Sequence, residues 1–120
     1  MVNISKELLF CDANFIEKEL NKLFLKLKSE NYLKDCTEDN IASKAAYYLG
    51  EINAIHPFRE GNGRTQREFI RELLLPTGFY VDYSRCNAKM MLYASINAFA
   101  GDYTLMTELF DKCIVRKPLN

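Results

Sequence analysis

The side chains with the clearest potential for chemistry lie together between positions 56 and 67, in the run HPFREGNGRTQR. This run contains the only histidine of the chain, His56, and a carboxylate, Glu60. An imidazole can accept a proton near neutral pH, and a carboxylate is a hard oxygen ligand for a magnesium ion that also contacts phosphates. The pattern therefore predicts a general base, His56, close to a metal ligand, Glu60.

The middle of the run, Gly61-Asn62-Gly63, predicts a phosphate-binding turn. Glycines permit backbone conformations and close approaches that a side chain would forbid. The apolar spacing then predicts a helix from Arg64 to Leu75. The start of a helix presents free N–H groups and the positive end of a dipole, so it attracts anions.

Arginines add cationic groups to the predicted helix. Arg64 and Arg67 are three residues apart, so both leave the same face, and Arg71 continues the row. A guanidinium offers a fixed fork of N–H donors, which suits phosphate oxygens better than an ammonium group does. The turn and the arginines together predict a cradle for phosphates.

Each of these residues, taken singly, has an ordinary structural explanation. A lone histidine is usually a structural or surface residue, a row of arginines is usually a solvated helix face, and a bare Gly-x-Gly is a weak motif. The run also lacks the Lys-Ser/Thr of a P-loop. A metal site built from His56 and Glu60 alone would lack ligands. Only the ordered block as a whole favours a functional site.

Helices are predicted on both sides of this block. A capping box at Asn14 begins a helix that reaches about Ser29, and Thr37 caps a second helix that delivers His56 at its C-terminal end. Pro57 favours an end to that helix near His56. Residues 79–83 look extended.

Two further helices are predicted behind the block. One runs from about Asn87 to Phe99 and stops at Gly101, and Asp102 caps the other. The side chains predicted to face the core recur at helical spacing. They are Ile16, Leu20, Leu23, Phe24 and Leu27; Ile41, Ala45, Tyr48, Leu49, Ile52 and Ile55; Phe69, Ile70, Leu73 and Leu74; and Leu105, Met106, Leu109, Phe110 and Cys113. Residues 1–11 could be a small hairpin or a frayed terminus.

Composition restricts the class of protein. A chain of 120 residues with 48% hydrophobic and 27% charged residues is typical of one globular domain. Sixteen basic and sixteen acidic side chains cancel, so nothing indicates electrostatic binding of nucleic acid. No apolar run is long enough for a signal peptide or a membrane span. A cytoplasmic location is expected, although delivery by a specialised secretion system would leave no such mark.

The four cysteines do not form a recognisable motif. Cys11, Cys36, Cys86 and Cys113 lie far apart, with no Cys-x-x-Cys pair, so neither a zinc site nor a redox motif is indicated. Their even number permits disulfides, but a reduced cytosolic setting is the expectation.

The run HPFREGNGRTQR closely resembles the signature of the Fic family, HPFxEGNGRxxR, whose members mostly transfer AMP from ATP to a protein hydroxyl. The resemblance covers most of the chain: an Ile-Ser-Lys hairpin, two helices, the signature, a phosphate-side helix and two helices behind it. It implies an all-α fold, a Fic-type bundle of about five helices with a short N-terminal β-hairpin flap. The expected domain is a single Fic core over residues 1–120.

The resemblance implies a role for each matching position. The histidine of the family deprotonates the target hydroxyl and its acidic residue binds Mg²⁺, roles that fall to His56 and Glu60. The anion hole for the α- and β-phosphates corresponds to Gly61, Asn62 and Gly63. The arginines that steady the β- and γ-phosphates correspond to Arg64 and Arg67. The flap that holds the target by backbone pairing corresponds to Ile4, Ser5, Lys6 and Glu7. Candidates for the adenine wall are Met90, Met91 and Asn97.

The implied activity is that of a protein adenylyltransferase with ATP as co-substrate and a protein carrying a Ser, Thr or Tyr hydroxyl as target. Glu60 and the intact glycines argue against the Doc-like kinase branch. Two alternatives stay open. A nucleotide-binding regulatory or interaction module would lack transferase activity, although His56 counts against it; a Fic enzyme could also use another donor, because the signature leaves the base undefined.

Two departures from the family bear on control. Fic domains usually have more helix before the flap, whereas this chain begins at the flap. The family's inhibitory Ser/Thr-x-x-x-Glu-Gly/Asn motif is matched only by Thr104 to Glu108, followed by Leu109, inside an apolar helix. A built-in glutamate brake is therefore not expected. Inhibition would come from an antitoxin-like chain, from residues outside this sequence or from self-association, and neither nucleic acid nor a membrane is an expected partner.

Overall fold

A computed structural model of the chain describes residues 13–55 and 62–118. Within these residues five α-helices pack together, which confirms the expected all-α bundle of about five helices. They are α1 (Ala13–Ser29), α2 (Ile41–Ile55), α3 (Asn62–Leu74), α4 (Ala88–Phe99) and α5 (Thr104–Cys113). The two short strands β1 (Phe79–Val81) and β2 (Ile114–Arg116) form an antiparallel pair. The predicted flap, residues 4–7, lies outside the described residues.

Helix α2 is the centre of the bundle, since α1, α3, α4 and α5 all pack against it. Its predicted apolar face is confirmed: Ala45 and Tyr48 are completely buried, Ile41, Leu49 and Ile52 nearly so, and only Ile55 is half-buried. A Cβ atom at Gly50 would overlap the ring of Tyr103, so only glycine lets α2 approach the start of α5 this closely. Burial on most sides makes α2 the rigid element from which His56 continues.

A left-handed turn connects α1 to α2. Asn31, Tyr32 and Leu33 have φ angles of 54°, 53° and 64°, which side chains rarely adopt. Leu33 is nevertheless completely buried, and the Glu30 carboxylate accepts hydrogen bonds from Tyr48 and Lys44 of α2. We infer that this burial and these bonds offset the backbone strain.

The helix ends follow the predicted capping chemistry on the α4 side. The Asn87 side chain accepts a hydrogen bond from the Met90 N–H at 2.8 Å, and Gly101 has a φ angle of 96°. The N–H groups of Gly101 and Asp102 donate to carbonyls of the last turn of α4, both at 2.9 Å, as in a Schellman motif. The Asp102 carboxylate then accepts from the Thr104 N–H at 3.0 Å, at the start of α5.

Several expectations about element ends need correction. Helix α1 begins at Ala13, so Asn14 lies inside its first turn, and α3 begins at Asn62, two residues before the predicted Arg64. Of the segment 79–83, which was expected to be extended, only residues 79–81 form a strand. Tyr83 belongs to a short 3₁₀ turn, Tyr83–Arg85, because the Asp82 side chain accepts from the Ser84 N–H at 3.1 Å and bends the chain. Strand β2 was not predicted at all.

Two residues predicted to face the core are instead exposed. Leu105 is 39% exposed, because the buried stripe of α5 runs through Met106, Leu109 and Phe110 and leaves Leu105 to one side. Phe24 is 41% exposed for the same reason on α1, although its ring lies 5.9 Å from that of Phe69 on α3.

Candidate nucleotide-binding site

The candidate site lies where α2 ends and α3 begins, because the signature segment joins these two packed helices. His56, Glu60 and Gly61 fall outside the described residues, so their placement stays a prediction. The described part begins with the N-terminus of α3 at Asn62. A helix of thirteen residues thus starts at the asparagine of Gly-Asn-Gly, and its first N–H groups have no acceptor within the helix.

Gly63 is buried, whereas Arg64 is exposed and Arg67 is half-buried. Within residues 13–55 and 62–118 neither guanidinium forms an ion pair. Both are therefore available, as far as the described residues go, to compensate the charge of an anion at the start of α3.

Arg71 differs from the other two arginines. Its Nε and Nη2 atoms donate to the Glu68 carboxylate at 2.8 and 2.6 Å, and this bond holds the pKa of Glu68 below its ordinary value. A bidentate pair on an exposed helix face leaves little net charge for a distant anion. Of the three arginines predicted to bind phosphates, only Arg64 and Arg67 therefore remain candidates.

Tyr83 contacts the backbone of Arg67. Its hydroxyl donates a hydrogen bond of 2.9 Å to the backbone carbonyl of Arg67, and its ring lies 6.3 Å from that of Phe110. Burial raises the pKa of Tyr83 above its ordinary range, so the hydroxyl stays a neutral donor. No sequence pattern predicts this contact, because it joins residues sixteen positions apart through the turn after β1.

Two buried polar side chains lie near the ends of the signature segment, Asn53 just before it and Gln66 within its last part. Asn53 in the last turn of α2 is 4% exposed and Gln66 on α3 is 5% exposed, in a core that is mostly apolar. Within the described parts of the chain the Asn53 Oδ1 atom has no hydrogen-bond donor. Neither residue was a sequence candidate, because a single amide in a helix carries no motif.

The three candidates for the adenine wall are placed differently. Met90 and Asn97 are half-buried and seven residues apart, so they share one side of α4. Met91 is 8% exposed and belongs to the hydrophobic core. The side chain of Met91 therefore packs inside the bundle, while Met90 and Asn97 are partly accessible.

The helical bundle, and an arginine-bearing helix that starts inside HPFREGNGRTQR, define a domain of the Fic type. This chain belongs to the Fic/DOC family, whose model matches residues 5–74.

The chain is similar to proteins that are named protein adenylyltransferase or probable protein adenylyltransferase. The chain is 37% identical over 111 residues to the protein adenylyltransferase VbhT of Bartonella schoenbuchensis, covering 92% of this chain and 23% of that protein. It is 44% identical over 94 residues to y4lH of Sinorhizobium fredii, named a probable protein adenylyltransferase, covering 78% of this chain and 49% of the other. The chain thus spans about half the length, or less, of these curated relatives.

Solved Fic domains have the same fold. One is the N-terminal Fic domain of a VirB-translocated Bep effector protein from Bartonella quintana with bound ADP, with a TM-score of 0.80 and 35% identity over 85% of this chain and 48% of that one. Another is BepC from Bartonella tribocorum with bound AMPPNP, with a TM-score of 0.80 and 34% identity over 86% of this chain and 50% of that one.

Helices long and apolar enough to cross a membrane are absent from the described residues.

Proposed function

We propose that this chain carries the Fic core of a protein adenylyltransferase, which transfers AMP from ATP to a Ser, Thr or Tyr hydroxyl of a target protein. The observation that carries the proposal is the start of α3 inside the signature, with Arg64 and Arg67 unpaired in the described structure. The names of the relatives and the nucleotides bound to two similar domains support the same conclusion.

The phosphates of ATP would bind at the N-terminus of α3. Backbone N–H groups of Gly61, Asn62 and Gly63 would contact the α- and β-phosphates, and the guanidinium groups of Arg64 and Arg67 would contact the β- and γ-phosphates. Met90 and Asn97 are placed on an accessible side of α4 and are the remaining choices for the adenine side.

In the proposed reaction His56 removes the proton from the target hydroxyl as that oxygen attacks the α-phosphorus of ATP. The bond between the α-phosphorus and the bridging oxygen breaks, AMP remains on the target and pyrophosphate leaves. Arg64 and Arg67 stabilise the negative charge that develops on pyrophosphate. Positioning and electrostatics supply most of the rate, as in phosphoryl transfer generally.

A magnesium ion fits a site made of one carboxylate, Glu60, and the phosphate oxygens of ATP. Groups of three or more metal-ligating side chains are absent from the residues that the structure describes. An ion held by one carboxylate, phosphate oxygens and water, the arrangement typical of Mg²⁺, needs no such group. Glu60 would hold the ion, which would supply positive charge to the phosphates.

The target segment would pair with the flap through Ile4, Ser5, Lys6 and Glu7. We further propose that an antitoxin-like chain or self-association restrains the enzyme. The only segment of the sequence that resembles an inhibitory motif, Thr104 to Glu108, lies on α5. There Glu108 is exposed and the adjoining Leu109, at the place of the motif's Gly or Asn, is buried in the core, so we do not assign an inhibitory role to this segment.

The test is transfer of label from ATP to protein. Lysate or the chain itself is incubated with ATP labelled at the α- or the γ-phosphorus, and modified proteins are identified by mass spectrometry. We expect label to reach protein only from ATP labelled at the α-phosphorus. We expect His56→Ala to abolish this labelling while it preserves ATP binding within a few-fold.

Label from the γ-position would instead indicate a kinase. ATP binding with no label at all would indicate the binding module. The same assay with each other labelled nucleotide decides the donor base. Equal transfer by His56→Ala and the parent would exclude His56 as the general base.

A further inference from the structure

Two cysteines that are twenty-seven positions apart in the sequence meet in the fold. Cys86 follows the 3₁₀ turn Tyr83–Arg85, and Cys113 is the last residue of α5. The turn is fastened to the end of that helix, because the Asp82 N–H donates to the Cys113 carbonyl at 2.7 Å and an Arg85 guanidinium N–H donates to the Lys112 carbonyl at 3.4 Å.

The Cys86 thiol lies between the backbone of its own turn and the Cys113 side chain. The Cys86 S–H donates to the Tyr83 carbonyl at 3.4 Å, which commits its one hydrogen. The side chain of Cys86 also interacts with that of Cys113 and contributes to a raised pKa of Cys113. Together with the backbone contacts between the turn and the end of α5, this interaction places the two thiols side by side.

Exposure separates the roles of the two thiols. Cys86 is half-buried, so a small oxidant can reach it, whereas Cys113 is completely buried. Burial raises the pKa of Cys113, and the interaction with Cys86 adds to that rise. Cys113 is thus protected from direct attack but lies in contact with any group formed on Cys86.

We propose that Cys86 and Cys113 are an oxidation site that closes to an intramolecular disulfide in the presence of a peroxide. Cys86 attacks one oxygen of hydrogen peroxide, which gives a sulfenic acid and releases one water molecule. The Cys113 sulfur then attacks the sulfenic sulfur of Cys86, the S–O bond breaks, and a second water carries away the hydroxyl and the Cys113 proton. Both thiols are oxidised, and the peroxide is reduced to two water molecules.

This disulfide would fix to α5 the 3₁₀ turn that carries Tyr83, whose hydroxyl donates to the Arg67 carbonyl on α3. It would close a loop that contains the whole of α4, so it restricts the unfolded chain. The inference is independent of the proposed transferase activity, because it needs neither nucleotide nor target.

The experiment treats the purified 120-residue chain with hydrogen peroxide at low protein concentration and then counts free thiols and maps peptides by mass spectrometry. Two of the four thiols are expected to disappear, the mass to fall by two hydrogens, and one peptide to link Cys86 to Cys113. The melting temperature should rise by about 5 °C or more and return to its original value with dithiothreitol.

Cys86→Ser is expected to abolish the link and the rise in melting temperature, whereas Cys36→Ser, which removes another half-buried thiol, should leave both unchanged. The proposal is overturned if all four thiols survive, if Cys86 stops at a sulfinic acid, or if the oxidised link joins two chains or involves Cys11 or Cys36. An oxidised parent that melts no higher than the reduced protein would contradict the stabilising role.

Discussion

At the scale of single residues, the arginines of α3 differ by their partners more than by their type. Arg71 is tied to Glu68 by two hydrogen bonds, whereas Arg64 and Arg67 have no ion-pair partner in the described residues. Three arginines in a row predict a charged helix face, but only the side-chain contacts show which charges are available to a ligand.

We expect Arg67→Ala to weaken ATP binding by about 10- to 100-fold, the range for a hydrogen bond between charged groups. AMP binding should fall much less, because the proposed contacts of Arg67 are with the distal phosphates. Calorimetry with both nucleotides measures this difference. Arg71→Ala is the matched control and should change ATP affinity by less than about twofold. Equal losses for ATP and AMP in Arg67→Ala would exclude the distal-phosphate assignment.

Tyr83 predicts how stability depends on pH. Burial holds its folded pKa above the unfolded value of about 10, so the folded state retains the proton that the unfolded state releases. The contribution of Tyr83 to the free energy of unfolding is therefore complete below a pH of about 10, and it is lost as the pH rises further. Tyr48 and Tyr103, whose pKa values burial also raises, add to the same loss.

Tyr83→Phe should lower the free energy of unfolding near neutral pH by about 1 kcal/mol, because the Arg67 carbonyl loses its donor. The same variant should lose less stability than the parent between neutral pH and about pH 11. Urea denaturation at several pH values checks both. An unchanged slope above pH 10 would show that Tyr83 does not titrate in this way.

At the scale of elements, most helices could be predicted because their determinants are local. The cap at Asn87, the stop at Gly101 and the stripe Met106, Leu109 and Phe110 are all readable from spacing. Strand β2 could not be predicted, because Ile114–Arg116 is extended through pairing with β1, far away in the sequence. Tyr83 escaped prediction for the same reason, since its hydroxyl acts on a helix that precedes it.

The left-handed turn Asn31–Leu33 was also beyond prediction, since none of its residues is a glycine. Tyr32 has a φ angle of 53° and is 41% exposed, so its side chain contributes little packing to offset the strain. We expect Tyr32→Gly to raise the free energy of unfolding by up to about 1 kcal/mol. Gly101→Ala, at a φ angle of 96°, should lower it by about as much. The midpoint of urea denaturation should therefore rise in Tyr32→Gly and fall in Gly101→Ala, relative to the parent chain.

At the scale of the whole molecule, α4 has two contrasting faces. Met91, Ala94 and Ala98 are buried, whereas the opposite face exposes four large apolar side chains by 51–57%: Leu92, Tyr93, Ile96 and Phe99. Between positions 90 and 101 the sequence contains no charged residue. A continuous apolar band of this kind lowers solubility when it faces water.

Ile96→Lys should therefore raise the soluble concentration of the 120-residue chain, with a change in the free energy of unfolding within about 0.5 kcal/mol. Ala94→Lys, two positions away but 1% exposed, should prevent folding, because it buries a charge in the core. Solubility assays and thermal melts distinguish the two. A large loss of stability in Ile96→Lys would mean that this side chain is packed in solution.

The contact between Gly50 and the ring of Tyr103 has a consequence for how this sequence can diverge. The two positions share one volume between α2 and the start of α5, so a larger residue at 50 requires a smaller one at 103. Tyr103 also donates a hydrogen bond to Glu51, which makes its replacement costly in turn. Homologues that keep this packing should therefore change positions 50 and 103 together, although these positions are far apart in the sequence.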